Sequence, residues 1–190
     1  MQEFEEDINN SIRVLINGGL ILYPTDTVWG IGCDATNAAA VKKIYALKKR
    51  ADEKSMIILM TDKKDILKYI TAPDPRVFEY LDNANKPTTI IYEGSIGLAD
   101  NVINSDGTVG IRLVQDLFCR QLIKRFRKPI VSTSANISGE STPAIFNEVS
   151  DTIKNGVDFI VQHRRNDFTL KEPSAVVKLN SNGTFTVLRP

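Results

Sequence analysis

The chain has 190 residues, 42% of them hydrophobic and 25% charged, a composition that suits one globular domain with a sizeable core. Lys and Arg number 24 against 23 Asp and Glu, and the net charge of +1 excludes a polycation that binds nucleic acid or anionic membrane by bulk charge. With two cysteines (Cys33, Cys119) and one histidine (His163), zinc clusters and Ser-His-Asp catalysis are all but closed off, so chemistry must run on Lys, Arg, Ser, Thr, Asn and carboxylates.

In chain order, Phe4, Ile8, Ile12, Leu15 and Ile16 recur at helical spacing, and Gly18-Gly19 stops that helix. Residues 20–23 form a short apolar run that reads as a buried strand. Val41, Ile44, Tyr45 and Leu47 mark a second helix, which runs into Lys48-Lys49-Arg50. Residues 56–60 predict another buried strand. Ile66, Leu67 and Ile70, then Val77, Phe78 and Leu81, predict two helices split by Pro73 and Pro75. Strands are predicted over 88–92 and 108–114, with a Gly-, Asn- and Asp-rich loop between them. Asp116 caps a helix carrying Leu117, Leu122, Ile123 and Phe126. A strand over 129–132 opens into a polar turn, and short strands follow near Phe159, over 175–179 and over 184–188. Interleaved helices and strands make the class α/β, and the closing run of strands predicts a mixed sheet. No repeat or low-complexity linker divides residues 1–190, which read as one domain. The acidic N-terminus lacks an apolar signal core and no run approaches the roughly 18 apolar residues of a membrane span, so a soluble cytoplasmic protein with free thiols is expected.

Three polar clusters adjoin buried strands, where open α/β sheets bind ligands. The first, Tyr23-Pro24-Thr25-Asp26-Thr27-Val28-Trp29-Gly30, reads either as a self-satisfied turn or as a site offering two hydroxyls and a carboxylate. The following Gly30-Ile31-Gly32-Cys33-Asp34-Ala35 fits G-x-G-x-x-A. Its strand is interrupted by Pro24 and no helix opens at Ala35, so its glycines are read as serving close packing or a ligand-facing turn. The second cluster, Lys48 to Lys54, ends a helix, where cations complement the macrodipole. Lys48 and Arg50 cannot face the same way on a continuing helix, but they can converge on one polyanion if the chain turns out there. The third, Ser132-Thr133-Ser134-Ala135-Asn136-Ile137-Ser138-Gly139, is either a serine-rich cap or a turn of neutral donors for phosphate or ribose oxygens. A further basic set, Arg120, Lys124, Arg125, Arg127 and Lys128, reads as a solvated helix face, with an RNA-contacting surface as the other reading.

In this order, Y-P-T-D-T-V-W-G-I-G, L-K-K-R, V-G-I-R, S-T-S-A-N-I-S-G and the final V-L-R-P resemble the YrdC/Sua5 family, over nearly the whole chain from about Ile8 to Pro190. The resemblance implies a twisted α/β sheet with flanking helices around a large concave, positively charged cavity. It implies synthesis of threonylcarbamoyl-adenylate and pyrophosphate from L-threonine, bicarbonate and ATP, with Mg²⁺ on the phosphates and no metal-ligating side chain. Lys48 and Arg50 match the K-x-R motif and are the expected catalytic pair. Those two residues, with Lys54, Ser132, Ser134, Asn136 and Arg189, are the expected nucleotide-binding set. Thr25, Thr27, Arg112 and Ser174 match positions near threonine. The product would pass to a transferase complex that modifies tRNA, and tRNA or double-stranded RNA is a further expected partner. The chain departs from the pattern at Ala51, Ser55-Met56, Asn85 to Thr89, Leu59, Ala175 and Lys178, around the expected substrate pocket. Two other readings remain open: a non-catalytic RNA- or nucleotide-binding paralogue of the YciO type, and a carbamoyl-adenylate module like those inside hydrogenase-maturation proteins.

Overall fold

The computed structural model describes residues 4–49 and 56–190. Among these, nine strands form one mixed sheet: β1 Ile21–Tyr23, β2 Gly30–Asp34, β3 Ile57–Met60, β4 Thr88–Tyr92, β5 Val109–Leu113, β6 Ile130–Ser134, β7 Phe159–Ile160, β8 Ala175–Leu179 and β9 Phe185–Arg189. Their order is β7-β1-β2-β6-β3-β5-β4-β8-β9. Neighbours β1 and β7, β3 and β5, and β4 and β8 run parallel, and the other pairs antiparallel. The helices are α1 Glu5–Ile16, α2 Ala38–Lys48, α3 Lys63–Tyr69, α4 Pro75–Asp82, α5 Leu117–Phe126 and α6 Asp151–Asn155. Side-chain oxygens of Asn37, Asp62, Asp74, Asp116 and Ser150 satisfy the first free N–H groups of α2 to α6. After α1, Gly18 takes a φ of +67°, which a side chain would oppose.

Strand alternation sends successive side chains to opposite faces, and the two faces are covered differently. Leu22, Ile31, Cys33, Ile58, Met60, Ile90, Ile111, Val131 and Val177 share one continuous core with Val41, Ile44 and Tyr45 of α2, Ile66 of α3 and Val77 of α4. On the other face Ile21, Tyr23, Leu59 and Ile130 pack against Ile8 and Leu15 of α1 and Phe118, Leu122 and Phe126 of α5. Each such buried aliphatic side chain contributes about 1.5–3 kcal/mol. Both cysteines are buried and free, and burial pushes both thiols up. No described helix is long and apolar enough to cross a membrane.

Two local expectations need correcting. Residues 30–34, whose glycines read as serving close packing or a ligand-facing turn, form β2, paired with β1 and β6, so the turn is corrected and the close packing holds. Its glycines are needed for space: a Cβ at Gly32 would lie 2.6 Å from Tyr23 Cε1, and one at Gly30 would lie 3.0 Å from Ser132 Oγ. A dinucleotide fingerprint needs its glycines in the strand-to-helix turn, so their place inside β2 removes that reading. Ser132, Thr133 and Ser134 also belong to strand β6, and the turn begins only at Ala135.

Candidate functional site

Two helices cannot cover a nine-stranded face. Where α1 and α5 end, the sheet leaves a cavity of about 280 Å³ over β2, β6, β3, β5, β4 and β8. Its floor follows from register. Gly110 of β5 stands between Ile57 of β3 and Ile91 of β4, and Arg112 stands opposite Thr89 of β4. Glycine at 30 and 110 keeps the floor low. The described lining holds two guanidinium groups, Arg112 and Arg189, several hydroxyls and no carboxylate.

Arg112 is buried beside Asp26, with Nη2 3.0 Å from Oδ1. The ion pair is close, yet Arg112 Nε and Nη2 and Asp26 Oδ1 make no well-formed hydrogen bond among the described residues. The other Asp26 oxygen accepts from the Gln115 N–H at 3.3 Å. Arg112 is therefore charge-compensated but retains unengaged donors. Arg189 donates from Nε to the Ser174 carbonyl at 2.9 Å and from Nη2 to Ser174 Oγ at 3.3 Å. Ser174 Oγ is in turn 2.9 Å from Thr89 Oγ1. Burial, then the nearby Arg112 charge, lowers the pKa of Arg189. Two like charges held this close favour an anion between them.

The turn from Pro24 to Val28 forms another wall. Thr25 Oγ1 donates to the Val28 carbonyl at 2.9 Å and accepts from the Thr27 N–H at 3.0 Å. With that proton engaged, the 3.0 Å contact between the two hydroxyls is a donation from Thr27 to Thr25. Thr27, which lines the cavity, keeps its acceptor lone pairs there.

Lys48 ends α2 and is buried. Its Nζ donates to the Ser134 carbonyl, to the Asn136 carbonyl at 2.6 Å and to Asn136 Oδ1 at 3.5 Å. Lys49 follows with a left-handed φ of 49°, which turns the chain out of the helix. Asn136 Nδ2 donates to the carbonyls of Ile137 at 2.9 Å and Glu140 at 2.8 Å.

The structure thus brings Thr27, Arg112, Ser132, Ser134, Ser174 and Arg189 around one cavity. It places Thr25 behind the wall, tying its own turn, and Lys48 and Asn136 within the frame of the 134–140 loop, outside the described lining. Arg50 and Lys54 lie outside the described residues. Thr89 and Gly110 are site residues that pattern reading missed, since an alternating strand gives no sign of which face stays open. Of the basic set on and just after α5, Arg125 holds Glu5 at 2.5 and 2.9 Å and Lys128 holds Asp34 at 2.6 Å. A larger groove of about 920 Å³ lies on the opposite face, between α4 and β8–β9. It contains none of the expected site residues. Its walls include Tyr80, Phe185 and Val187, and the charged residues along it are Glu79, Lys86 and Arg76, the last paired with Asp74 at 2.6 Å.

This is an α/β protein with a hydroxyl-rich, arginine-bearing cavity on the half-covered face of a mixed sheet. A family model for Sua5, YciO and YrdC chains, described as "Telomere recombination", matches residues 13–190. The chain is 33% identical over 150 residues to a protein named threonylcarbamoyl-AMP synthase from Idiomarina loihiensis, covering 77% of this chain and 80% of that one. A protein of the same name from Coxiella burnetii is 30% identical over 141 residues, covering 74% and 76%. Among solved structures, P. abyssi Sua5 complexed with L-threonine superposes with a TM-score of 0.86 at 22% identity, over 98% of this chain. The chain spans about half of that longer protein, 54%. E. coli YciO superposes with a TM-score of 0.82 at 22% identity, over 97% of this chain and 88% of its own. The chain belongs to the Sua5/YciO/YrdC family.

Proposed function

We infer that the protein is a threonylcarbamoyl-AMP synthase acting in the N6-threonylcarbamoyladenosine modification of tRNA. The observation that carries this reading is Arg112, with donors left over, beside Arg189 on a hydroxyl-lined cavity whose described lining has no carboxylate. Such a wall suits the carboxylate of an amino acid and phosphate oxygens.

In the reaction, the threonine nitrogen joins the carbon of bicarbonate, with loss of water, to give a carbamate. A carbamate oxygen then bonds to the α-phosphorus of ATP as the bond to pyrophosphate breaks. This chemistry needs positioning and charge neutralisation, with no covalent enzyme intermediate. Arg112, Thr27, Thr89 and Ser174 hold the amino acid, and Arg189, Ser132 and Ser134 take the nucleotide. Lys48 and Asn136 hold the loop that follows Ser134 and stand at the nucleotide end of the site, and Lys48 with Arg50 and Lys54 supplies charge to the phosphates. A magnesium ion on the phosphates would add charge neutralisation. Asp26, the carboxylate nearest Arg112, is already ion-paired, so the chain's own side chains suit a phosphate-borne metal and not a protein-held one.

The test is pyrophosphate release from ATP across a panel of amino acids, with and without bicarbonate. Release that requires both threonine and bicarbonate supports the reading. Its absence, with steeply salt-dependent RNA binding in its place, favours the YciO-like alternative.

A further inference from the structure

We propose that Arg164 is a positioning residue: from the loop after β7 it holds the Thr25–Thr27 turn at the cavity wall. The proposal rests on the synthase reading for its kinetic consequence but not for its geometry.

The turn is held from outside, residue by residue. The Pro24 carbonyl accepts from the Cys119 thiol at 3.3 Å. Asp26 is fixed by the Gln115 N–H and Arg112. The Thr25 carbonyl accepts from Arg164 Nη1 at 3.1 Å. That same nitrogen lies 3.1 Å from Oδ2 of Asp116, the cap of α5, and Arg164 Nε lies 3.0 Å from Asp167 Oδ2. One planar guanidinium therefore joins three chain segments, a task suited to its fixed fork of donors.

Two observations separate this contact from ordinary surface pairing. Arg164 adopts a φ of +64°, a conformation that disfavours any residue with a side chain. Such strain persists only where surrounding contacts hold it. The start of the loop is also anchored, because the buried Asp7 carboxylate accepts from the N–H groups of Gln162 at 3.0 Å and His163 at 2.7 Å. The path to the cavity is short. Arg164 fixes the Thr25 carbonyl, the Thr25 hydroxyl accepts from the Thr27 amide, and Thr27 faces the site.

The test compares Arg164→Gly, Arg164→Lys and the parent. Glycine accepts the positive φ without strain, which offsets part of the loss of the ion pairs, so Arg164→Gly should lower the thermal midpoint only slightly while losing the bridge. In that variant the Thr27 amide should exchange with solvent about tenfold faster, and kcat/KM for threonine should fall about tenfold, mostly through KM. Arg164→Lys, with charge but no fork, should fall between. Unchanged Thr27 exchange in Arg164→Gly overturns the proposal whatever the reaction. Faster exchange in a protein whose parent releases no pyrophosphate sinks the synthase reading and leaves this one standing. Faster exchange with parental kinetics in an active enzyme also overturns it. So does loss of activity only in proportion to lost folded protein.

Discussion

Lys48, under the 134–136 turn, and Arg112, in the cavity wall, are almost equally buried, at 1% and 3% exposure. Lys48 directs its ammonium at backbone carbonyls of Ser134 and Asn136. Arg112 is compensated by Asp26 at 3.0 Å, yet its Nε and Nη2 lack a well-formed hydrogen bond. Burial alone does not separate a structural cation from a binding one. What separates them is whether the donors are already engaged. A satisfied charge fixes the shape of a loop, whereas a neutralised charge with donors to spare is prepared for an anion.

The largest effect should come from removing the engaged cation. Lys48→Met keeps much of the stem and deletes the ammonium, so charge-assisted bonds to two loop carbonyls disappear. Each is worth about 1.5–3 kcal/mol, and relief of the buried charge offsets part of the loss, leaving a net destabilisation of about 3 kcal/mol. Thermal or urea unfolding measures this, and an unchanged midpoint would contradict the structural assignment.

Arg112→Lys probes the other side of the comparison. It preserves charge opposite Asp26 and removes the fork, so stability should hold within about 1 kcal/mol while kcat/KM for threonine drops about 10- to 100-fold. If the unfolding midpoint falls as far as it does for Lys48→Met, the two cations do the same work and the distinction collapses.

The sequence carried part of this arrangement. Periodicity locates α1, the α3–α4 pair split by Pro73 and Pro75, and β4, because apolar spacing and proline chemistry are local properties. It loses β2, since Gly30 and Gly32 look like turn residues. Only the sheet register shows that Tyr23 and Ser132 occupy the space their side chains would need. The meeting of Arg112, Ser174 and Arg189 is set by parallel pairing of β4 with β8 and antiparallel pairing of β8 with β9, long-range contacts with no short motif. Only the family resemblance flagged all three. The direction of Lys48 is equally illegible, because spacing places it at the end of α2 without saying that its ammonium reaches the carbonyls of Ser134 and Asn136. Nothing local marks Arg164, whose role comes from its three partners.

The floor beneath Arg112 offers a smaller perturbation. A Cβ at Gly110 would lie 3.2 Å from Thr89 Cγ2 and 3.5 Å from Ile91 Cδ1, tight but not prohibitive. Gly110→Ala should change stability by less than about 1 kcal/mol, since lost backbone freedom in the unfolded chain offsets crowding. The added methyl nonetheless enters the cavity, and KM for threonine should rise about threefold with kcat retained. A parental KM would mean that the amino acid does not rest on this floor.

The smallest effect concerns Asp167, a surface counterpart to Asp26. Its hydrogen bonds with Thr169, then with Arg164, hold its pKa down at about 2, below the ordinary 3.8. A depressed carboxylate contributes stability in its ionised form. The contribution is complete above about pH 4 and disappears as pH falls through about 2. Asp167→Asn removes this titration, so its thermal midpoint should start slightly lower at pH 6 and decline less steeply between pH 4 and 2. Because the pair is only half-buried, 0.5 M salt should shrink the difference, whereas the more deeply buried Asp26–Arg112 pair should be less affected. Acid should also loosen one of Arg164's three ties and speed Thr27 amide exchange in the parent over the same window. Equal acid slopes in the parent and Asp167→Asn would show that Asp167 neither holds Arg164 nor contributes to the clamp on the cavity wall.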